Sequence, residues 1–269
     1  MLRAVLYRAA RHDELKLTPP FDSPEIRAIL LDIEGTTTPI DFVFKTLFPF
    51  ASARLEDFLR SHVQDAEIAA LLEELRTSHQ GHRGDVTNGA LAWADGTNEE
   101  KIASASRYVR WLIAGDSKIT PLKTLQGKMW EEGFRSGELK GEVYPDVARA
   151  FARWKAQGRR IAIFSSGSVL AQKLLFSHST AGDLSAFLDG YFDTTAGSKR
   201  EGESYKKIAG AIGVQPQGIL FVSDVGEELD AAQAAGMKTA HSLRPGIPAL
   251  EDLRHREIRS FDEILPAQQ

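Results

Sequence analysis

Acids, hydroxyls and one amine follow apolar runs at several places in this chain, and their types and order could support catalysis. In chain order they are a carboxylate pair, two hydroxyls, a lysine and a further carboxylate, which together suit a nucleophile, an anion and a hard cation in one cleft. Taken alone, each has an ordinary structural explanation as a helix cap or a solvated side chain. Their recurrence at successive strand ends favours the catalytic interpretation. The candidate residues are Asp32, Glu34, Ser165, Ser166, Lys199 and Asp224.

Four apolar runs must position these side chains. Each is short, rich in Ile, Leu, Phe or Val, and ends in polar residues, which is typical of buried parallel strands. Helical patterns follow the last three runs. Ligands of such sheets bind at the carboxyl ends of the strands, so the pattern predicts an α/β fold with a doubly wound parallel sheet and a site at that edge. The runs span 27–31, 160–164, 191–194 and 219–224.

The chain changes character between Asp41 and Gly141, where strand-like runs disappear and apolar residues recur at helical spacing. This pattern predicts a helical cap, residues 42–141, inserted into an α/β core of residues 26–41 and 142–269, with the sheet resuming near Val143. Three cap residues could contact a ligand but have commoner structural explanations, and they are left out of the predicted site: His82, Trp93 and Lys128. The predicted helical segments are 44–59, 67–76, 99–113 and 122–135.

Composition narrows the class of protein. The 269 residues include no cysteine, which excludes disulfides, thiolate nucleophiles and zinc–thiolate sites. The net charge of −4, with dispersed Lys and Arg, argues against nucleic acid as a partner, and no apolar run approaches the length of a membrane span. We expect a cytoplasmic monomer. Residues 1–25 form an extension of unknown role; residues 1–12 carry arginines and lack acids, so organelle targeting is the minority alternative to a loosely docked segment.

The ordered motifs resemble those of the haloacid dehalogenase superfamily: an Asp-x-Glu-Gly-Thr-Thr turn, a later Ser, a Lys before a helix, and a final Ser-Asp. Longer segments from residue 26 onward closely resemble the enolase-phosphatases of the methionine salvage pathway, whereas nothing upstream does. The segments are LDIEGTTTPIDFVFKTLFPF at 31–50, LQGKMW at 125–130, SSGSVLAQKLLFSHST at 165–180, and GSK at 197–199 with ESY at 203–205.

The resemblance implies roles for the candidate residues. Asp32 would be the nucleophile and would bind Mg²⁺ together with Asp224 and the backbone carbonyl of Glu34. The Glu34 side chain would then serve as general acid and base. The superfamily more often has Asp at this position, and Glu favours the narrower family. Ser165, Ser166 and Lys199 would bind the phosphate. Two carboxylates at roughly 4 Å repel by about 4 kcal/mol at an effective dielectric near 20, which independently calls for a divalent cation.

The implied reaction is the enolisation and dephosphorylation of 2,3-diketo-5-methylthiopentyl-1-phosphate, through an aspartyl-phosphate. Two alternatives stay open at this point: a general sugar-phosphate phosphatase of the same superfamily, and a binding module on a catalytically dead fold. The intact Asp32, Glu34, Lys199 and Asp224 weigh against the second. Glu228 and Asp230 follow the last motif and could either stabilise the start of a helix or orient the cation.

Overall fold

A computed structural model describes residues 21–81, 93–94, 96–247, 249 and 254–267. Its centre is a six-stranded sheet in the order β3-β2-β1-β4-β5-β6, in which every neighbouring pair is parallel. Helices cover both faces, which confirms the predicted doubly wound α/β fold. The strands are β1 Ala28–Leu31, β2 Arg160–Phe164, β3 Gly190–Phe192, β4 Ile219–Ser223, β5 Lys238–Ser242 and β6 Arg256–Ile258.

Strand β1 lies between β2 and β4, and all four of its residues are buried. Both of its faces are covered, because Ile29 and Leu31 belong to one apolar cluster and Ala28 and Leu30 to another. Leu31 pairs with Ile163 of β2 and with Val222 of β4. The polar residues that follow these three strands therefore emerge side by side at one edge of the sheet.

Four helices outside the sheet surround a third apolar cluster of their own. They correspond to the four helical segments predicted for the insertion. A single helical turn, Ile40–Phe42, and a π-helix, Val43–Leu47, connect the core to them. The helices are α1 Phe48–Ser61, α2 Ala66–Gly81, α3 Asn98–Ala114 and α4 Thr120–Ser136.

The core helices lie on the two faces of the sheet. Trp154 and Phe151 of the first one are fully buried in the cluster on one face, and Tyr205 and Leu229 from the third and fourth belong to the cluster on the other. These helices are α5 Val147–Ala156, α6 Val169–Ser177, α7 Gly202–Ile212 and α8 Gly226–Ala234.

Two details of the sheet differ from the sequence prediction. The sheet resumes at Arg160 and not near Val143, because helix α5 comes first and Val143 only packs against the core cluster from a loop. Strands β5 and β6 were not predicted. β5 begins with Lys238 and Thr239, and β6 is a three-residue edge strand with two polar residues, so neither has an apolar run.

The N-terminal extension is attached to the core from Phe21 onward. The Phe21 amide donates to the Glu263 carbonyl at 2.8 Å, and the Phe21 carbonyl accepts from the Leu265 amide at 2.7 Å. The guanidinium of Arg256 lies 4.4 Å from the centre of the Phe21 ring. Residues 1–20, including the predicted targeting alternative at 1–12, lie outside the described residues. Among the helices described, none has the length and apolar character needed to cross a bilayer.

Candidate active site

Asp32 lies at the end of β1, buried and only 3% exposed. Its amide extends the ladder by donating to the Val222 carbonyl at 3.0 Å, and its carbonyl accepts from the Thr37 hydroxyl at 3.2 Å. The backbone of Asp32 is thus fixed on both sides. Its Oδ1 accepts a hydrogen bond from Lys199 Nζ at 2.5 Å, which holds the carboxylate in one orientation.

Lys199 is shared between two carboxylates. Besides Asp32, its ammonium contacts Glu228 Oε2 at 2.6 Å, and its side chain is only 9% exposed. Burial alone would lower the lysine pKa, but the two carboxylates outweigh it and raise the pKa above its usual value. The Tyr205 hydroxyl fixes the lysine's backbone by donating to its carbonyl at 2.7 Å. Lys199 is therefore a permanent cation beside Asp32.

Glu228 is held in place by the Ser223 hydroxyl, which donates to its Oε2 at 2.9 Å. Burial, followed by the charge of Asp32, raises the pKa of Glu228 to about 7. The sequence left two possibilities for Glu228, and its contact with Lys199 was not foreseen, because only the folded chain brings α8 beside the loop before α7. Asp230 points elsewhere, to Nε2 of His255 at 2.9 Å and to Arg254 at 3.2 Å.

Asp224 follows β4 and packs directly against Gly35 in the turn after β1. Gly35 has φ +69°, and a Cβ at this position would lie 2.3 Å from Asp224 Oδ2. Only glycine therefore allows the two segments to approach so closely. Burial raises the pKa of Asp224 to about 7, and the charge of Asp32 is the second cause. The two acids are close enough to repel each other.

Glu34 and Ser165 face each other across the strand ends, with Ser165 Oγ 3.5 Å from Glu34 Oε2. The same hydroxyl accepts from the Gly167 amide at 3.1 Å, and Ser166 lines the adjoining cleft. Burial, and then the charge of Asp32, raise the pKa of Glu34 above that of an ordinary glutamate. A raised pKa brings a carboxyl group closer to the range in which it can both donate and accept a proton at neutral pH.

A buried ion pair braces the turn that carries Glu34. Arg244 contacts Asp146 Oδ2 at 2.7 Å, its Nε donates to the Thr36 carbonyl at 3.1 Å, and its guanidinium lies 4.5 Å from the Tyr144 and Phe261 ring centres. Nothing in the sequence marked this pair, since a single Arg and a single Asp in separate loops form no pattern.

A cleft opens beside Glu34, Ser165 and Ser166, between the strand ends and helix α4. Two cap lysines, Lys118 and Lys123, also line it. The rest of its wall is largely apolar and is contributed by Val43, Leu47, Phe48, Trp130, Ala171 and Leu175.

The three cap residues left out of the predicted site have other surroundings or lie outside the described residues. Lys128 forms an ion pair with Glu67 at 2.7 Å, and Trp93 packs against the cap cluster. His82 is not among the described residues.

The acids at the strand ends are a fitting donor set for a hard cation. Within the described ranges, no group of three or more His, Cys, Asp or Glu side chains is arranged to hold a metal. Two carboxylates, Asp32 and Asp224, with the backbone carbonyl of Glu34, do not require a third side chain. Burial, and then the charge of Asp32, raise the pKa of Asp224, and a bound cation would relieve the repulsion between these two acids.

The fold and the strand-end acids define a class of hydrolase, and comparison with known proteins agrees. The model of the haloacid dehalogenase-like hydrolases matches residues 26–236. A haloacid dehalogenase-superfamily phosphatase from Thermococcus onnurineus shares the fold, with a TM-score of 0.52 at 19% identity over 88% of this chain and 95% of that one.

More similar proteins narrow the class. An enolase-phosphatase E1 from Synechococcus elongatus is 52% identical over 239 residues, covering 89% of this chain and 98% of that protein. One from Pseudomonas syringae pv. tomato is 48% identical over 242 residues, covering 90% and 98%. The crystal structure of the UTR4 protein from Saccharomyces cerevisiae superposes with a TM-score of 0.71 at 32% identity, covering 88% of this chain and 99% of that one. This chain belongs to the enolase-phosphatase E1 family of haloacid dehalogenase-like hydrolases, which confirms the predicted resemblance.

Proposed function

We propose that this protein is a Mg²⁺-dependent enolase-phosphatase of methionine salvage. It converts 2,3-diketo-5-methylthiopentyl-1-phosphate, through its enol, to 1,2-dihydroxy-3-keto-5-methylthiopentene and phosphate. Two relatives named for this activity are 52% and 48% identical to this chain, and the match covers 98% of each of them. The structural observation that best supports it is that Glu34, Ser165 and Ser166 line a cleft whose wall is otherwise largely apolar, at the strand ends where Asp32 and Lys199 are in contact at 2.5 Å.

Asp32 acts as the nucleophile of the phosphatase half-reaction. Its carboxylate oxygen attacks phosphorus, a new O–P bond forms, and the bond from phosphorus to the enol oxygen breaks. Lys199 orients Asp32 through the 2.5 Å contact and brings a positive charge to the phosphate. Ser165 and Ser166, with amide groups at the start of α6, bind the phosphate oxygens.

Glu34 transfers a proton in each of the two displacements at phosphorus. As an acid it protonates the departing enol oxygen, and as a base it takes a proton from the water that then attacks phosphorus. That attack breaks the bond to Asp32 and frees the phosphate. Burial raises the pKa of Glu34, which makes the protonated form available for the first step.

Asp32, Asp224 and the Glu34 carbonyl would hold Mg²⁺. When bound, the ion neutralises charge on the phosphate and polarises oxygens of the substrate. The braced turn at Thr36 and the close approach of Gly35 to Asp224 keep these ligands in place without the ion.

The apolar wall suits a methylthio tail better than a polyhydroxylated sugar, because hydroxyl groups buried against Val43, Leu47 and Trp130 would lose hydrogen bonds to water. Residues 42–141 are the cap that completes this wall and excludes water from the reaction. The protein acts as a cytoplasmic monomer, which size-exclusion chromatography and fractionation test.

The test follows enol absorbance and phosphate release together after the diketo phosphate and Mg²⁺ are added. Enol formation followed by stoichiometric phosphate is the expected result. Equal efficiency on sugar phosphates without enol formation would instead favour a general phosphatase. Absence of turnover of any phosphate ester would favour a binding module.

A further inference from the structure

Helix α4 presents three residues to the cleft at spacings of three and four: Lys123, Gln126 and Trp130. This spacing places them on one face of the helix. Glu34 and Ser165, from the strand ends, line the same cleft. Trp130 is an apolar member of the wall, and its indole N–H is already used by the Leu47 carbonyl at 3.0 Å. Lys123 and Gln126 are therefore the polar groups that α4 adds to the cleft.

Lys123 has spare donor capacity. The one hydrogen bond that its ammonium makes to another described residue is to the neutral hydroxyl of Thr194, at 3.4 Å. Asp193 is nearby, but its carboxylate accepts from the Thr195 amide and hydroxyl at 2.9 and 2.6 Å. Lys118, the other lysine of the cleft, is paired with Asp116 at 2.5 Å.

Burial lowers the pKa of Lys123, Asp193 opposes that effect, and the like charge of Lys118 lowers it further. The Lys123 ammonium is thus partly desolvated and has no closely paired anion among the described residues.

Gln126 is also short of partners. It is 4% exposed, and none of the hydrogen bonds between described residues involves its side-chain amide. Buried amides in folded proteins are normally hydrogen-bonded, so an amide left free beside a cleft is available to a ligand. Its buried neighbours in the same helix, such as Leu122, Leu125 and Met129, are apolar.

We propose that Lys123 and Gln126 form a subsite on the cap that donates hydrogen bonds to the adjacent carbonyl oxygens of the substrate. The proposal rests on the enolase-phosphatase function and deepens it. The phosphate end of the substrate is bound at Ser165 and Lys199, so donors on the facing helix meet the part of the molecule beyond the phosphate. Negative charge grows on one of these oxygens as the enol forms, and a fixed ammonium and amide stabilise it there.

The binding test uses two non-hydrolysable phosphonates of equal chain length, one with two adjacent ketones and one with methylenes in their place. Affinities are measured by titration calorimetry for the wild type, Lys123→Met, Lys123→Arg and Gln126→Met. Lys128→Met is the matched control, since it removes the same charge from the same helix at a residue that contacts Glu67. A hydrogen bond from a charged donor is worth about a tenfold to hundredfold preference.

We expect the wild type and Lys128→Met to favour the diketone about tenfold or more. Lys123→Met should lose most of this preference, Gln126→Met part of it, and Lys123→Arg should keep more than Lys123→Met. An equal preference in Lys123→Met, Gln126→Met and the wild type would overturn the subsite. If one variant fails to fold, judged by its melting curve, the other two still decide the question.

Turnover separates this inference from the proposed function. A wild type that prefers the diketone but never forms enol retains the subsite and loses the enolase function. A wild type that forms enol, with kcat/KM unchanged in Lys123→Met and Gln126→Met, retains the function and loses the subsite. If the enolase-phosphatase function and the subsite are both correct, the loss of kcat/KM in Lys123→Met should be at least tenfold larger for the diketo phosphate than for p-nitrophenyl phosphate, which has no carbonyl.

Discussion

The contact between Gly35 and Asp224 predicts that a single added methyl group will weaken the proposed binding of Mg²⁺. Gly35→Ala would place Cβ 2.3 Å from Asp224 Oδ2, whereas real Cβ contacts are essentially never below 3.0 Å, so the carboxylate must move by at least the difference, 0.7 Å. The φ of +69° adds about 1–2 kcal/mol of backbone strain for any residue with a side chain. Asp224, a proposed metal ligand, is thereby pushed away from the turn that carries the Glu34 carbonyl.

A displacement near 1 Å in a catalytic group can cost about 10²-fold in rate. We therefore expect phosphate release from Gly35→Ala to fall by about this factor, and the Mg²⁺ concentration for half activity to rise. Gly137→Ala is the matched control, because Gly137 has φ +80° and nothing within 4 Å of its added Cβ. It should lose similar stability in urea unfolding and keep its Mg²⁺ dependence.

The difference between the two variants isolates the effect on Asp224 from the backbone cost. A normal Mg²⁺ requirement and a normal rate in Gly35→Ala would refute the assignment of Asp224 as a ligand. Equal losses of activity in both variants would show that general destabilisation, and not displacement of Asp224, explains the result.

Three further predictions concern residues away from the reacting atoms. Arg244→Lys keeps a charge beside Asp146 but loses the contacts of the planar guanidinium, so the free energy of unfolding in urea should fall by about 1.5–3 kcal/mol. An unchanged unfolding curve would show that the Arg244–Asp146 ion pair is dispensable. Thr97→Ala removes the capping box of α3 and should cost about 1 kcal/mol in the same assay with activity retained, so a fall in activity would contradict the assignment of Thr97 to stability alone. The hydrogen bond from Arg149 lowers the pKa of Asp262 to about 2, so the stabilisation is present above the usual aspartate pKa of about 4 and is lost as pH falls through 2. Asp262→Asn should make the urea midpoint depend less on pH over that range. An unchanged pH dependence would show that Asp262 is not the source of it.

The central strands and the acids after them could be predicted because β1, β2 and β4 are buried on both faces. Such burial demands continuous apolar residues, and the polar residue that ends each run becomes visible in the sequence. Strands β5 and β6 lack that signal because they begin with polar residues. The helices of the insertion were visible for the corresponding reason, since one face of each is buried in a shared cluster.

The partners of the site residues could not be predicted because they meet only in the folded chain. Lys199 Nζ lies 2.6 Å from Glu228 Oε2, although Lys199 comes from the loop before α7 and Glu228 from α8. Arg244 and Asp146 are 98 positions apart in the sequence. Lys123 and Gln126 have the pattern of ordinary helix residues, and only the packing of α4 over the strand ends places them in the cleft.

The most direct test of the central claim is the capture of the phosphorylated nucleophile. The protein is mixed with the diketo phosphate and Mg²⁺, quenched in acid within a single turnover, digested, and analysed by mass spectrometry. We predict a phosphoryl group on the peptide that contains Asp32 in the wild type, and neither that group nor phosphate release in Asp32→Asn. Phosphate release by Asp32→Asn at a rate near that of the wild type, with the Asn shown to be intact, would contradict the account.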